Sequence, residues 1–221
     1  IFSPSHFTWM DTNYPAGTPR QGYPIEIQAL WHYALTMLSK IDKSPEWARL
    51  AKQVADSING LFVIRADDFT YLADCLSAAP GTGAQAAEVD DALRSNQLLA
   101  VTLGAVKDPA LCKSIVEACE QLLIPGAIRS LADRPVRHPA PVYNDGQLLN
   151  DPEHPYWGHY TGDEDTRRKP AYHNGTAWTW PFPSYAEALS MVYGEAAHDT
   201  ALAILGSASD VINHGCLRQS P

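Results

Sequence analysis

Near the start of the chain, Phe7-Thr8-Trp9-Met10-Asp11-Thr12-Asn13-Tyr14 sets a carboxylate two residues after one large aromatic and three before another. The surroundings are too rich in Gly and Pro for a helix, and a strong helical pattern follows. An aromatic wall desolvates a carboxyl group and favours its neutral form. A carboxyl still protonated near neutrality can hand a proton to a leaving oxygen. An Asp in an ordinary surface turn is the simpler reading of the same residues, and local context leaves both open. Three polar and aromatic clusters accompany it: TPRQGYPIEIQ (18–28), DALRSNQ (91–97) and YHNGTAWTW (172–180).

Other chemistries lack their residues. No Gly-rich phosphate loop opens a helix, and neither HExxH nor GxSxG occurs. The eight histidines do not cluster at ligand spacing, and Pro155 separates His154 from His159. What remains is carboxylates, amides, arginines and an excess of aromatics, with 6 Trp and 10 Tyr. Sugars present apolar ring faces that stack on aromatics. Their hydroxyls need paired donors and acceptors.

Composition narrows the partners. A formal charge of -9 repels phosphates, which argues against nucleic acid and anionic membranes. No apolar run approaches the roughly 20 residues that span a bilayer. Cys75, Cys112, Cys119 and Cys216 form no CxxC pair. Cys112 and Cys119 share one helix face and read as buried thiols, which suits a reducing cytoplasm.

The elements that must hold these clusters read mainly as helices. Leu30, Tyr33, Ala34, Met37, Leu38 and Ile41 give a stripe over 24–41, and Trp47, Leu50, Ala51, Val54 and Ile58 give another after Ser44-Pro45. A short hairpin is predicted over 61–76, turning at Asp67-Asp68. Helices follow over 95–106 and from Asp108-Pro109, then over about 174–193 and 195–212, with Gly215 beyond the last. Between them, residues 125–172 are long, irregular and aromatic, the mark of a functional loop. The helices fall into three pairs, and a polar cluster precedes the first member of each. A ring of helical hairpins, with the clusters gathered at one mouth, accounts for this order; an irregular bundle is the plainer alternative.

Five stretches, TWMD (8–11), TPRQGYPIEIQALW (18–31), RSNQLLAVTLG (94–104), YHNGTAWTWPFPSYAEAL (172–189) and HGCLRQS (214–220), together resemble the C-terminal glucosidase domain of glycogen debranching enzymes. The resemblance spans almost the whole chain. It implies an all-α (α/α)6 toroid, of which residues 1–221 would form a partial domain, the later half of the ring with a small β-hairpin insertion. It also implies an inverting glycoside hydrolase that removes α-1,6-linked glucose at glycogen or limit-dextrin branch points, in the cytoplasm, with no metal or organic cofactor. Asp11 matches the general acid. Trp9, Arg20, Glu26, Gln28, Asn96, Gln97, His173, Asn174 and Trp178 match positions expected to line the glucose pocket.

Several of these roles have structural counterparts. Glu26 and Gln28 can equally tie an inner helix to its neighbours. His173 can be a pocket donor or a helix-start partner, and of Trp178 and Trp180 one is expected to face sugar while the other packs. An inverting enzyme needs a second carboxylate about 6.5–9.5 Å from the acid. The resemblance puts that base just past Pro221, and further helices before Ile1. A trehalase-like enzyme, an N-glycan-trimming glucosidase and a non-catalytic carbohydrate-binding fragment are the alternatives. Half a ring would also leave apolar helix surface exposed.

Overall fold

The structure, a computed structural model, describes residues 1–12 and 18–212. Tyr14, Gly215, Cys216 and the 214–220 motif lie outside the described residues.

The chain is mixed α/β, which corrects the all-α expectation and with it the toroid. Among the described residues, eight α-helices alternate with ten short strands in four small antiparallel sheets. The strands are two or three residues long, too short to show the period-2 alternation by which a strand is read from sequence. Pro125-Gly126 turns β6 into β7 and Asp145-Gly146 turns β8 into β9, while β2 turns into β3 at Asp67-Asp68.

The first strand, β1 (Gly22–Pro24), runs directly into helix α1 (Ile25–Ile41). The Asp74 carbonyl accepts from Ile25 N at 3.0 Å, satisfying one of the helix's free amides. Helix α2 (Pro45–Leu61) packs antiparallel on α1 after the Ser44 cap and Pro45. The predicted hairpin is present as β2 (Val63–Arg65) and β3 (Thr70–Leu72), with Val63 opposite Leu72. Next, β4 (Cys75–Ser77) pairs with both β1 and β5 (Glu88–Asp90). Gly22 opens β1 at φ +131°, and a Cβ there would lie 2.2 Å from the Leu76 carbonyl oxygen. Only glycine lets these strands meet.

The predicted 95–106 helix is shorter: a 3-10 turn (Ser95–Gln97) leads into α3 (Leu98–Thr102). Helix α4 (Pro109–Glu120) is capped by Asp108, whose carboxylate accepts from Leu111 N at 2.7 Å. The irregular stretch is ordered around two hairpins, β6 (Leu123–Ile124) with β7 (Ala127–Arg129) and β8 (Tyr143–Asn144) with β9 (Gln147–Leu148). A π-helical turn (Glu164–Arg168) and α5 (Lys169–Tyr172) follow. The helix read from residue 174 begins only at α6 (Phe182–Tyr193), because Ala177–Trp178 joins β7 as β10. The last helical stretch is broken into α7 (His198–Gly206) and α8 (Ser209–Ile212).

One large core joins α1, α3, α4 and α6, with Ile25, Ile58, Leu98, Ile115, Leu122 and Ile128 fully buried. Cys75, Cys112 and Cys119 are buried free thiols. Helix α1 reverses the expected orientation. Its inward face is Ile25, Glu26, Gln28, Ala29, His32 and Leu35, whereas Leu30, Tyr33, Met37, Leu38 and Ile41 are exposed, Ile41 by 74%. The helix is apolar around most of its circumference, so its pattern does not select a face. The Glu26 ion pair described below does.

Candidate functional site

The N-terminal segment is pinned along residues 19–22. Ser3 and Gly22 exchange backbone hydrogen bonds, and His6 N donates to the Pro19 carbonyl at 3.0 Å. Thr8 and Met10 are buried, Trp9 is half-buried and Asp11 is exposed.

Beneath this segment lies a buried ion network. The Arg20 guanidinium donates to both Glu26 oxygens, at 2.5 and 2.6 Å, and through Nε to Asp74 Oδ2 at 2.7 Å. It also donates to Thr8 Oγ1 at 3.1 Å. Arg94 Nε lies 3.2 Å from Asp74 Oδ2, and Asn96 donates to Asp74 Oδ1 at 2.8 Å. Two guanidiniums therefore balance two carboxylates in the protein interior, where an unpaired charge is costly. Arg20 takes part from a left-handed backbone, φ 42°, a conformation that costs a non-glycine residue on the order of 1–2 kcal/mol. Glu26, Thr8 and both the carboxylate and the carbonyl of Asp74 hold it there. Arg20 is held well above its usual range by Asp74 and Glu26, which outweigh burial, the largest single effect and one that acts downward. Asp90, beside the network, is pushed up by burial and by Asp74.

The network carries the site's upper layer. Asn96 Oδ1 accepts from Trp9 Nε1 at 2.8 Å, and its amide nitrogen lies 3.2 Å from Met10 Sδ. Arg94 reaches across to the carbonyls of Ser130 and His173 and to Asn174 Oδ1 at 3.0 Å. One side chain thus ties the 91–97 cluster to the 172–180 cluster. Gln97 is fully used inside the protein, accepting from Leu72 N and donating to the Arg94 carbonyl, both at 2.9 Å.

Above the network the rings gather. Trp9 meets His173, Trp178 and Trp180 edge-on, with centroids 5.2, 5.6 and 4.9 Å apart. His173 stacks on Trp178 at 5.6 Å and meets Tyr172 at 4.8 Å. Trp178 Nε1 donates to the Tyr172 carbonyl at 3.0 Å. His173 is buried, with Nδ1 2.9 Å from Thr12 Oγ1. Burial first, and then the charges of Arg94 and Arg20, lower its pKa to about 3, so the ring is neutral at physiological pH.

Gly175 makes the last turn of this wall. Its φ is +144°, and a Cβ would sit 2.8 Å from the carbonyl carbon and oxygen of Trp157. That approach lets Trp157 N donate to the Asn174 carbonyl at 2.5 Å. Asn174 itself donates to the Pro170 carbonyl at 3.0 Å.

Of the residues picked out from sequence, Trp9, His173 and Trp178 form the ring cluster, and Asp11 is exposed two residues after Trp9. Arg20, Glu26, Asn96, Gln97 and Asn174 are buried beneath it and engaged with protein partners. Gln28 is elsewhere: its amide donates to the Ile1 carbonyl at 2.8 Å, and it lines a separate cavity of about 210 Å³ with Tyr23, Val54 and Phe62. Trp180 and Trp178 both belong to the cluster, Trp180 being the more exposed at 47%. Asp74 and Arg94 were missed. The signal for Asp74 was a lone acid inside the apolar run YLADCLSA; Arg94 lay in a quoted motif without a role. A cleft of about 560 Å³ adjoins the network, sharing Thr18, Arg20 and Arg94 with it and adding Asp90, His138 and Pro139. Among the described residues, no three His, Cys, Asp or Glu side chains are grouped to hold a metal, and no helix is long and apolar enough to cross a membrane.

Trp9, His173, Trp178 and Trp180 thus form an aromatic wall, held from below by a network in which guanidiniums and carboxylates offset one another. The chain belongs to the amylo-alpha-1,6-glucosidase family, whose model matches residues 3–220. It is accordingly a glucosidase-related domain of the glycogen-debranching type, from a family associated with glycoside hydrolases and with glucan substrates. No curated protein matches it.

Proposed function

We propose that this domain hydrolyses α-1,6-linked glucose at the branch points of glycogen or limit dextrin, with inversion, and that Asp11 is its general acid. The observation that carries the reading is the meeting of two segments some 160 residues apart, as Thr12 Oγ1 comes within 2.9 Å of His173 Nδ1. That meeting sets the Asp11 segment against the Tyr172–Trp180 wall. A glucose ring seated on Trp9 and Trp178 would bring its glycosidic oxygen to the rim where Asp11 lies. Asp11 gives its proton to that oxygen as the C1–O6 bond breaks, and water adds to C1 from the opposite face. The proton of the water passes to a second carboxylate, which this reading assigns to no described residue. Arg20, Glu26, Asn96, Gln97 and Asn174 act as positioning residues, since their polar atoms are occupied by protein partners.

One observation favours a second reading. Asp11 is exposed, and among the described residues no wall closes over it. A carbohydrate-binding domain without turnover would tolerate that. Asp11→Asn in the full-length protein separates the two. Under the enzymatic reading, glucose release from a branched dextrin falls by at least about 100-fold while dextrin binding persists. Near-normal release would remove Asp11 from the mechanism, and no release from the unaltered protein would favour the binding domain.

A further inference from the structure

Two rings stand at opposite ends of the aromatic wall. Trp180 touches Trp9, and Tyr160 touches Tyr172, at 5.5 Å and an interplanar angle of 40°. The path Trp180–Trp9–Trp178–Tyr172–Tyr160 takes four ring-to-ring steps of 4.7 to 5.6 Å. The middle rings are half-buried, while Trp180 and Tyr160 are 47% and 46% exposed. A single sugar ring would not need both ends.

The acid marks which end is which. Thr12, the residue after Asp11, lies 2.9 Å from His173 Nδ1; the His173 ring meets Tyr172 at 4.8 Å, and Tyr160 packs on Tyr172. The Asp11 segment and Tyr160 therefore meet the same pair of neighbouring rings, His173 and Tyr172. A general acid protonates the oxygen that departs with the leaving group, so a ring on the acid's side of the wall faces the part of the substrate that leaves.

The loop that bears Tyr160 is tethered before that residue and runs after it into a capped helical turn. Before it, Trp157 N is bonded to the Asn174 carbonyl, and the Trp157 ring is covered by the Arg167 guanidinium at 5.7 Å. After it, Asp163 accepts from the amides of Asp165 and Thr166 at 3.0 and 2.9 Å. An exposed ring on a tethered loop loses little freedom when a ligand lands on it.

We infer that Tyr160 is a specificity-determining platform for the leaving chain, stacking on the α-glucan from which the branch glucose is cut. This rests on the debranching reading above and names the part of the substrate that the wall selects: the main chain, beyond the single glucose removed. Tyr160 touches no reacting atom in this account; it positions the chain.

The test compares two substrates in the full-length protein. One is a dextrin bearing single α-1,6-linked glucose stubs. The other is α-glucosyl fluoride, which has the same glucose but releases fluoride in place of a chain. Tyr160→Ala is expected to raise KM for the dextrin roughly 3- to 10-fold, the range for losing one aromatic stack. The ratio of kcat/KM for dextrin over fluoride falls by the same factor, and Tyr160→Phe keeps it near the unaltered value. An unchanged dextrin KM, or an equal loss on both substrates, would overturn the inference. Should the unaltered protein turn over neither substrate, the debranching reading fails first and this inference with it, a result visible before any substitution is made.

Discussion

Asp74→Asn tests whether the buried ion network is the foundation of the site. The Asp74 side chain is wholly buried and accepts from Arg20 Nε at 2.7 Å, Arg20 NH2 at 3.1 Å and Asn96 at 2.8 Å, with Arg94 Nε 3.2 Å away. The change keeps shape and removes one of two balancing negative charges. Leaving a buried guanidinium uncompensated costs about 3–5 kcal/mol. For a chain of this size each kcal/mol moves Tm by about 2–4 °C, so a fall of about 6–20 °C is expected. Asp90 sets where in that range the result falls. Its carboxyl is held up by burial and by Asp74; with the Asp74 charge gone it ionises more readily and replaces part of the lost charge. Asp74→Asn with Asp90→Asn should therefore destabilise by more than the sum of the two single changes. Circular dichroism melting at pH 7 reads all three variants. The exposed Lys52–Asp56 pair, 74% and 61% accessible, is the control, and Asp56→Asn should change stability by under about 0.5 kcal/mol. A Tm loss below about 3 °C for Asp74→Asn, or one no larger than the control, would refute the reasoning.

Further expectations follow from the same geometry. His173 is neutral in the fold with its pKa lowered to about 3 from 6.5, so the unfolded chain takes up a proton first as the solution is acidified. Stability present above pH 6.5 is thus lost toward pH 3, at up to roughly 1.4 kcal/mol per pH unit from this group; His173→Gln should flatten that slope in melting curves recorded from pH 7 to 4. Gly175→Ala should drive the Trp157–Gly158 backbone off the wall, lowering Tm and dextrin affinity together, as calorimetric titration would show. Trp9→Phe keeps a ring but loses the bond to Asn96, at about 1 kcal/mol in denaturant unfolding. Ile41→Lys, on the exposed stripe of α1, should alter stability by no more than about 0.5 kcal/mol in denaturant unfolding.

The residues that meet at the candidate site stand out in the sequence. Trp and Asp at 9 and 11, the arginine and amide clusters, and the aromatic run at 172–180 are conspicuous because a core has no use for them in aperiodic segments. Ser44-Pro45 and Asp108-Pro109 announced their helices for the local reason that capping and the first-turn proline act within four residues. The β2–β3 hairpin was equally local. What the sequence could not supply was every decision made by distant partners. Strands as short as Ala177–Trp178 exist only because β7 is there to pair with them, so the all-α expectation failed at those points. The face that α1 buries was chosen by Arg20, which bonds Glu26 and Asp74 together, against the stripe that periodicity favoured. Asp74 itself looked like any acid in a chain; only folding, by burying it among two guanidiniums and an amide, made it the centre on which both halves of the site rest.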